Sequence, residues 1–205
     1  MEYFTHLLYG ALLSYIGFIY PGMLNMTALK IRISNNKNAS IKFAAGASFI
    51  IFIQAGIALL FADYFMKHPI VIENLRIAAI VVLFILSVVF FILARRDTNF
   101  KESKQKSKFF MKGVGMSAIN MVGIPFYLGM SVYLASINKI VIKHPFIFLF
   151  VLGAAIGAFL IFYTYIYFAK FITNKVSFVA KNINYILCAL FFTLAVITWL
   201  KTYYS

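Results

Sequence analysis

The chain has 205 residues, of which 63% are apolar and 12% charged, with a mean hydropathy of +0.93. A soluble domain carries about a quarter charged residues, and leaving the surplus apolar surface in water costs roughly 25 cal/mol per Å², so an ordinary soluble enzyme is excluded and membrane embedding is required. The excess of 19 Lys+Arg over 5 Asp+Glu gives a net charge of +14. In a membrane chain this reads as loops held against anionic headgroups, at about 1 kcal/mol per basic residue, and not as a nucleic-acid surface.

Taken in order, the residues Met1 to His6 contain no basic n-region, and no small-x-small cleavage site precedes Lys30. The first apolar run is therefore expected to be a retained membrane helix and not a signal peptide. A crossing of about 30 Å of hydrocarbon needs roughly 20 apolar residues, and six runs qualify. The first covers about Phe4–Ala28, with Gly17, Pro21, Gly22 and Asn25 inside it. The second covers about Ile41–Met66, with Gln54 at its middle and Asp63 one turn from its end. The third, about Ile70–Ala94, follows Pro69 and carries Glu73 and Arg76, spaced as a local pair. The fourth covers about Phe109–Ile137, with Gly113 and Gly115 as hinge candidates and Asn120, Gly123 and Pro125 further on. The fifth, about Phe146–Ile172, follows Pro145, expected to be a turn before a helix start. It holds Gly153 and Gly157, spaced for close helix packing within or between protomers, and three tyrosines at 163, 165 and 167. The sixth, about Ile183–Leu200, ends in Trp199, Tyr203 and Tyr204, an interfacial aromatic anchor. Continuous runs without strict alternation argue against a barrel.

Lys and Arg place fourteen charges in or beside the loops after the first, third and fifth runs, and five on the other side. The basic side is expected to face the cytoplasm, with both termini outside. The basic stretch 95–108 divides the chain into residues 1–94 and 109–205. Each part has three crossings, so the expected fold is an all-α integral membrane protein of six helices in two inverted three-helix repeats.

The first helix of each half contains a proline beside glycine and asparagine: Gly17 to Asn25 in one, Asn120 to Pro125 in the other. A proline removes a backbone donor and frees a carbonyl one turn earlier, and freed groups in hydrocarbon must be buried in protein or line a wet cavity. Matched breaks point to a substrate site near the midplane. Pro21-Gly22-Met23-Leu24-Asn25 resembles the Pro-Gly-Pro-x-Asn signature that ends the first helix of the LysE-type (LysE/RhtB) amino-acid exporters, and the stretch Asn120 to Pro125 resembles that family's Asn-Pro element in the fourth helix. Met23 stands where the family has a second proline, and Asn120 lies five positions before Pro125. The resemblance implies a six-helix amino-acid exporter in a bacterial inner membrane, with Pro21, Gly22, Asn25, Asn120 and Pro125 as substrate-binding residues. Gln54 and Gly123 join them from their own positions: Gln54 is the strongest polar group within the second run, read first as an interhelical hydrogen bond and then as pocket lining. N–H groups past a break suit a carboxylate, and carboxamides with freed carbonyls suit an ammonium, so a zwitterion is held without a buried formal charge.

The expected function is secondary export of amino acids or related small polar metabolites, driven by an ion gradient, here of protons. No phosphate-binding loop of the Walker type occurs. Asp63 and His6 are the secondary candidates for ion coupling. The alternatives are a passive channel, a structural membrane subunit or a membrane-embedded enzyme. The enzyme is disfavoured because the three histidines stand at helix ends or in loops, without an Asp/His cluster. Cys188 is the only cysteine, which excludes a disulfide carrier and a cysteine-rich metal site. No cofactor and no metal are expected, and homo-oligomerisation is left open.

Overall fold

The computed structural model describes residues 2–68, 108–169 and 171–172, with isolated helical positions at 84, 87–88, 91, 189, 192–193, 196–197 and 199–200. The chain divides into two units, residues 1–67 with 105–175, and residues 68–104 with 176–205. The third and sixth expected spans and the Glu73/Arg76 pair fall in the second unit and, apart from those isolated positions, lie outside the described residues, as does the expected 95–108 linker up to residue 107.

In the first unit the helices are α1 (Glu2–Gly17), α2 (Met23–Ser34), α3 (Lys37–Lys67), α4 (Phe109–Ile119), α5 (Gly123–Ser136) and α6 (Phe146–Tyr167). The described residues contain no strand. Two helices, α3 and α6, are long and apolar enough to cross a membrane by themselves. At 1.5 Å per residue α3 is about 46 Å long, more than the hydrocarbon thickness, and lysines stand at both its ends. The expected first span is two helices, α1 and α2, separated at residues 18–22. The expected fourth span is also two, α4 and α5, bent by 65° at residues 120–122.

Local sequence explains the boundaries. Asn36 caps α3, its Oδ1 accepting the Ala39 N–H at 2.8 Å. The helix α5 ends in a Schellman arrangement: Lys139 N–H donates to Leu134 O at 2.9 Å and Asn138 N–H to Ala135 O at 3.0 Å. Asn138 takes the left-handed conformation this needs, φ 54°. Pro145 is the residue from which α6 starts, as expected.

Small residues set the packing. A Cβ on Gly10 of α1 would collide with Phe150 O and Ala154 N of α6, and a Cβ on Gly153 with Leu7 O and Ala11 N of α1. Gly157 meets Ala11 in the same way, so the Gly153/Gly157 pair packs within the protomer. The contact between α3 and α4 repeats this pattern. Gly113 meets Phe43 O and Ala47 N, and Gly46 meets Phe110 O and Val114 N. Leu7, Gly10 and Ala11 map onto Phe110, Gly113 and Val114 by one constant offset in residue number; Phe43, Gly46 and Ala47 map onto Phe150, Gly153 and Ala154 by another. Within each pair the helices run parallel. Gly113 is therefore a packing position and not the hinge considered from sequence, whereas Gly115 faces open space.

Around these contacts lies a core of alanines and large apolar side chains, including Phe43, Ile51, Leu59, Phe150, Ile161 and Phe162. Tyr3, Phe4, Leu8, Leu12, Ile16 and Ile19 form an exposed apolar flank of the first span, the composition of a lipid-facing surface.

Candidate functional site

Both interruptions expose main-chain carbonyls, and each is stitched by a carboxamide. At the first, the peptides after Gly17 leave the helical pattern. Asn25, buried in the first turn of α2, reaches back so that its Nδ2 donates to Phe18 O at 2.6 Å and to Tyr20 O at 2.7 Å. The carbonyl between them, Ile19 O, accepts the Tyr165 hydroxyl of α6 at 2.8 Å. Gly22 precedes α2 and provides no side-chain cap, so the N–H groups of that first turn point past the break without a side-chain acceptor.

At the second interruption the carboxamide comes from another helix. Gln54 of α3 donates through Nε2 to Ser117 O at 3.0 Å and to Asn120 O at 3.2 Å. Its Oε1 lies over Gly123, where an added Cβ would sit 2.6 Å away. The glycine is what lets the carboxamide lie against the start of α5. The chain turns at Asn120, Met121 and Val122, one turn before the proline. Pro125 occupies the third position of α5. There its missing N–H removes no bond from the helix interior, so it supports a helix start and does not itself make the bend that the sequence suggested. Pro21 likewise precedes a helix start.

The interruptions face each other. The Phe18 ring lies 5.9 Å from Phe126 and 6.2 Å from Tyr127, and those two rings are 5.2 Å apart. Gly17 leaves room for the Phe126 ring. Tyr127 is fully buried, and its hydroxyl meets Ser14 Oγ at 2.6 Å. By the offset that relates α1 to α4, the counterpart of Ser14 is Ser117. Ser117 Oγ and Asn25 Oδ1 are buried without a hydrogen-bond partner, as is Ser48 Oγ on α3. An unpaired buried polar atom costs about 1–3 kcal/mol, and one such atom stands beside each interruption.

Of the residues expected from sequence, Pro21, Gly22 and Asn25 gather at the first interruption, and Gln54, Asn120, Gly123 and Pro125 at the second. The contribution of Asn120 seen here is its carbonyl. The buried polar side chains among the described residues are neutral amides and hydroxyls together with His6. Asp63 lies away from them, paired with Lys67 at 2.6 Å, an i,i+4 surface pair. His6 is buried at the opposite end of α1 from the break. Sequence reasoning passed over Ser14, Ser117 and Tyr127. Ser14 and Ser117 each stand one turn before a break, a regularity legible in the chain. Tyr165 is one of the three tyrosines near the end of the fifth run. It alone of the three reaches the break, while Tyr163 and Tyr167 stack on each other with centroids 6.5 Å apart, and Lys37 Nζ lies 5.3 Å over the Tyr163 ring.

In comparison with known proteins, the family model described as LysE type translocator matches residues 15–201. No curated protein and no solved structure matches the chain.

Proposed function

Since the chain belongs to the LysE type translocator family, a membrane transporter family, we propose that it is a secondary exporter of amino acids or related small polar metabolites, coupled to a proton gradient across a bacterial inner membrane. The observation that carries this reading is the pair of stitched breaks meeting around Phe18, Phe126 and Tyr127, each with an unpaired buried polar atom beside it. In this reading the uncapped N–H groups of α2 receive the substrate carboxylate, aided by the helix dipole. Asn25 Oδ1 and the carbonyls of the second break receive the ammonium. Pro21, Gly22, Asn25, Gln54, Asn120, Gly123 and Pro125 then form the binding site, with Ser117 added from the geometry.

The exchanged glycine contacts support a further element of the proposal, an inverted repeat of six spans over residues 1–94 and 109–205, with the basic side cytoplasmic against anionic headgroups. In that arrangement α1 of one half packs on the second helix of the other, and α4 of the other half packs on the second helix of the first. Rocking of the halves would expose the site alternately to the two sides.

The test is uptake of radiolabelled amino acids into inverted vesicles with and without an imposed pH gradient. Gradient-dependent accumulation above empty vesicles supports the proposal. No uptake across a broad panel contradicts it, and gradient-independent equilibration would identify a channel.

A further inference from the structure

We infer that His6 is a proton-binding site that latches the loop between α5 and α6: binding a proton and holding the loop are mutually exclusive at its Nε2. The ring is buried, and Nε2 accepts the Val141 N–H at 2.8 Å. A backbone N–H can only donate, so the nitrogen facing it must keep its lone pair. A proton placed there sets two donors against each other and removes the bond.

The surroundings make this bond the fastening of the loop. His6 stacks on Phe146, with centroids 4.5 Å apart, and Tyr3 stacks on Phe146 at 5.2 Å. That fixes the imidazole at the point where α6 begins. The loop leaves α5 through the left-handed Asn138. Ile140 and Ile142 are then buried while Val141 between them is exposed, an alternation that turns the backbone of Val141 toward the histidine. The loop itself carries Lys139, Lys143 and His144, α1 carries Glu2 one turn before His6, and the first turn of α6 is apolar. The latch is thus closed while Nε2 keeps its lone pair and opens when Nε2 takes up a proton. On the proposed orientation it responds to the extracytoplasmic side.

Hydrogen exchange of the full chain in lipid nanodiscs, corrected for intrinsic rates, tests the latch without any transport assay. Between about pH 8 and about pH 5, protection of the peptide containing Val141 should fall at least about fivefold, the scale of one ordinary hydrogen bond. His144→Gln should show the same fall. His6→Gln, whose Oε1 can accept the same N–H but takes up no proton, should hold its protection across the range. Equal protection at both pH values in the unaltered chain overturns the inference, and that arm needs no variant. So does an unchanged fall in His6→Gln, or its loss in His144→Gln. Because the readout is local exchange, its failure is separate from any failure of the export proposal.

Discussion

The two interrupted segments solve the same problem by different means. At the first, the stitching carboxamide is local: Asn25 bonds carbonyls five and seven residues before it. At the second it is distant: Gln54 crosses from α3 to carbonyls 63 and 66 residues later. The first break is therefore closed within its own segment, with Tyr165 as an outside tie. The second is closed only while α3 and α4 stay packed. Any motion separating those helices would uncap the Asn120 carbonyl and leave Ser117 O with the Asn120 N–H alone, whereas the Asn25 bonds would travel with their segment.

This contrast is most exposed to substitution at the carboxamides. Asn25→Asp replaces the donor with a carboxylate facing two carbonyls, and a buried unpaired charge costs several kcal/mol; loss of folded protein in detergent and of uptake is the expected outcome. Asn25→Ala leaves Phe18 O unpaired, Tyr20 O keeping the Gly22 N–H, and Gln54→Ala leaves Asn120 O unpaired, Ser117 O keeping the Asn120 N–H, at about 1–3 kcal/mol for the group left unpaired. Both should lower thermal stability in detergent. The local and distant stitches should separate in exchange, with Asn25→Ala loosening residues 18–22 alone and Gln54→Ala loosening both α3 and the α4–α5 turn. Equal patterns from the two variants would break the comparison.

How much of this was legible beforehand follows from the range of each interaction. Proline with glycine and asparagine marks both breaks because helix termination is local, and Gln54 stands out because a carboxamide inside an apolar run needs a partner. The bend at residues 120–122 was misplaced toward Pro125, since a proline in a first turn marks a helix start as readily as a kink. Tyr165, Tyr127 and the Val141 bond of His6 depend on neighbours more than a hundred positions away, which no local pattern encodes. Gly113, a hinge candidate in the sequence, is a packing position because the α3 backbone lies against it.

Smaller effects sharpen the picture. Tyr127→Phe removes the hydroxyl shared with Ser14 while keeping the ring, and should cost about 1 kcal/mol together with a measurable change in KM for uptake. Ser14→Ala should match it; a much larger effect in only one of the two would mean the pair does not act as a unit. Gly115→Ala has open space around the added methyl and should stabilise α4 by up to about 1 kcal/mol, where Gly113→Ala collides with the α3 backbone and should destabilise. Thermal unfolding of the two variants in the same detergent compares them directly.

The central claim, that both breaks serve one substrate, is tested most directly by a double-mutant cycle on the KM for uptake with Asn25→Ala, Ser117→Ala and the double variant. A shared chamber predicts that the two substitutions couple, with the double variant departing from the product of the single effects by at least about threefold. Strictly multiplicative effects, or a Ser117→Ala variant that leaves uptake untouched, would contradict it.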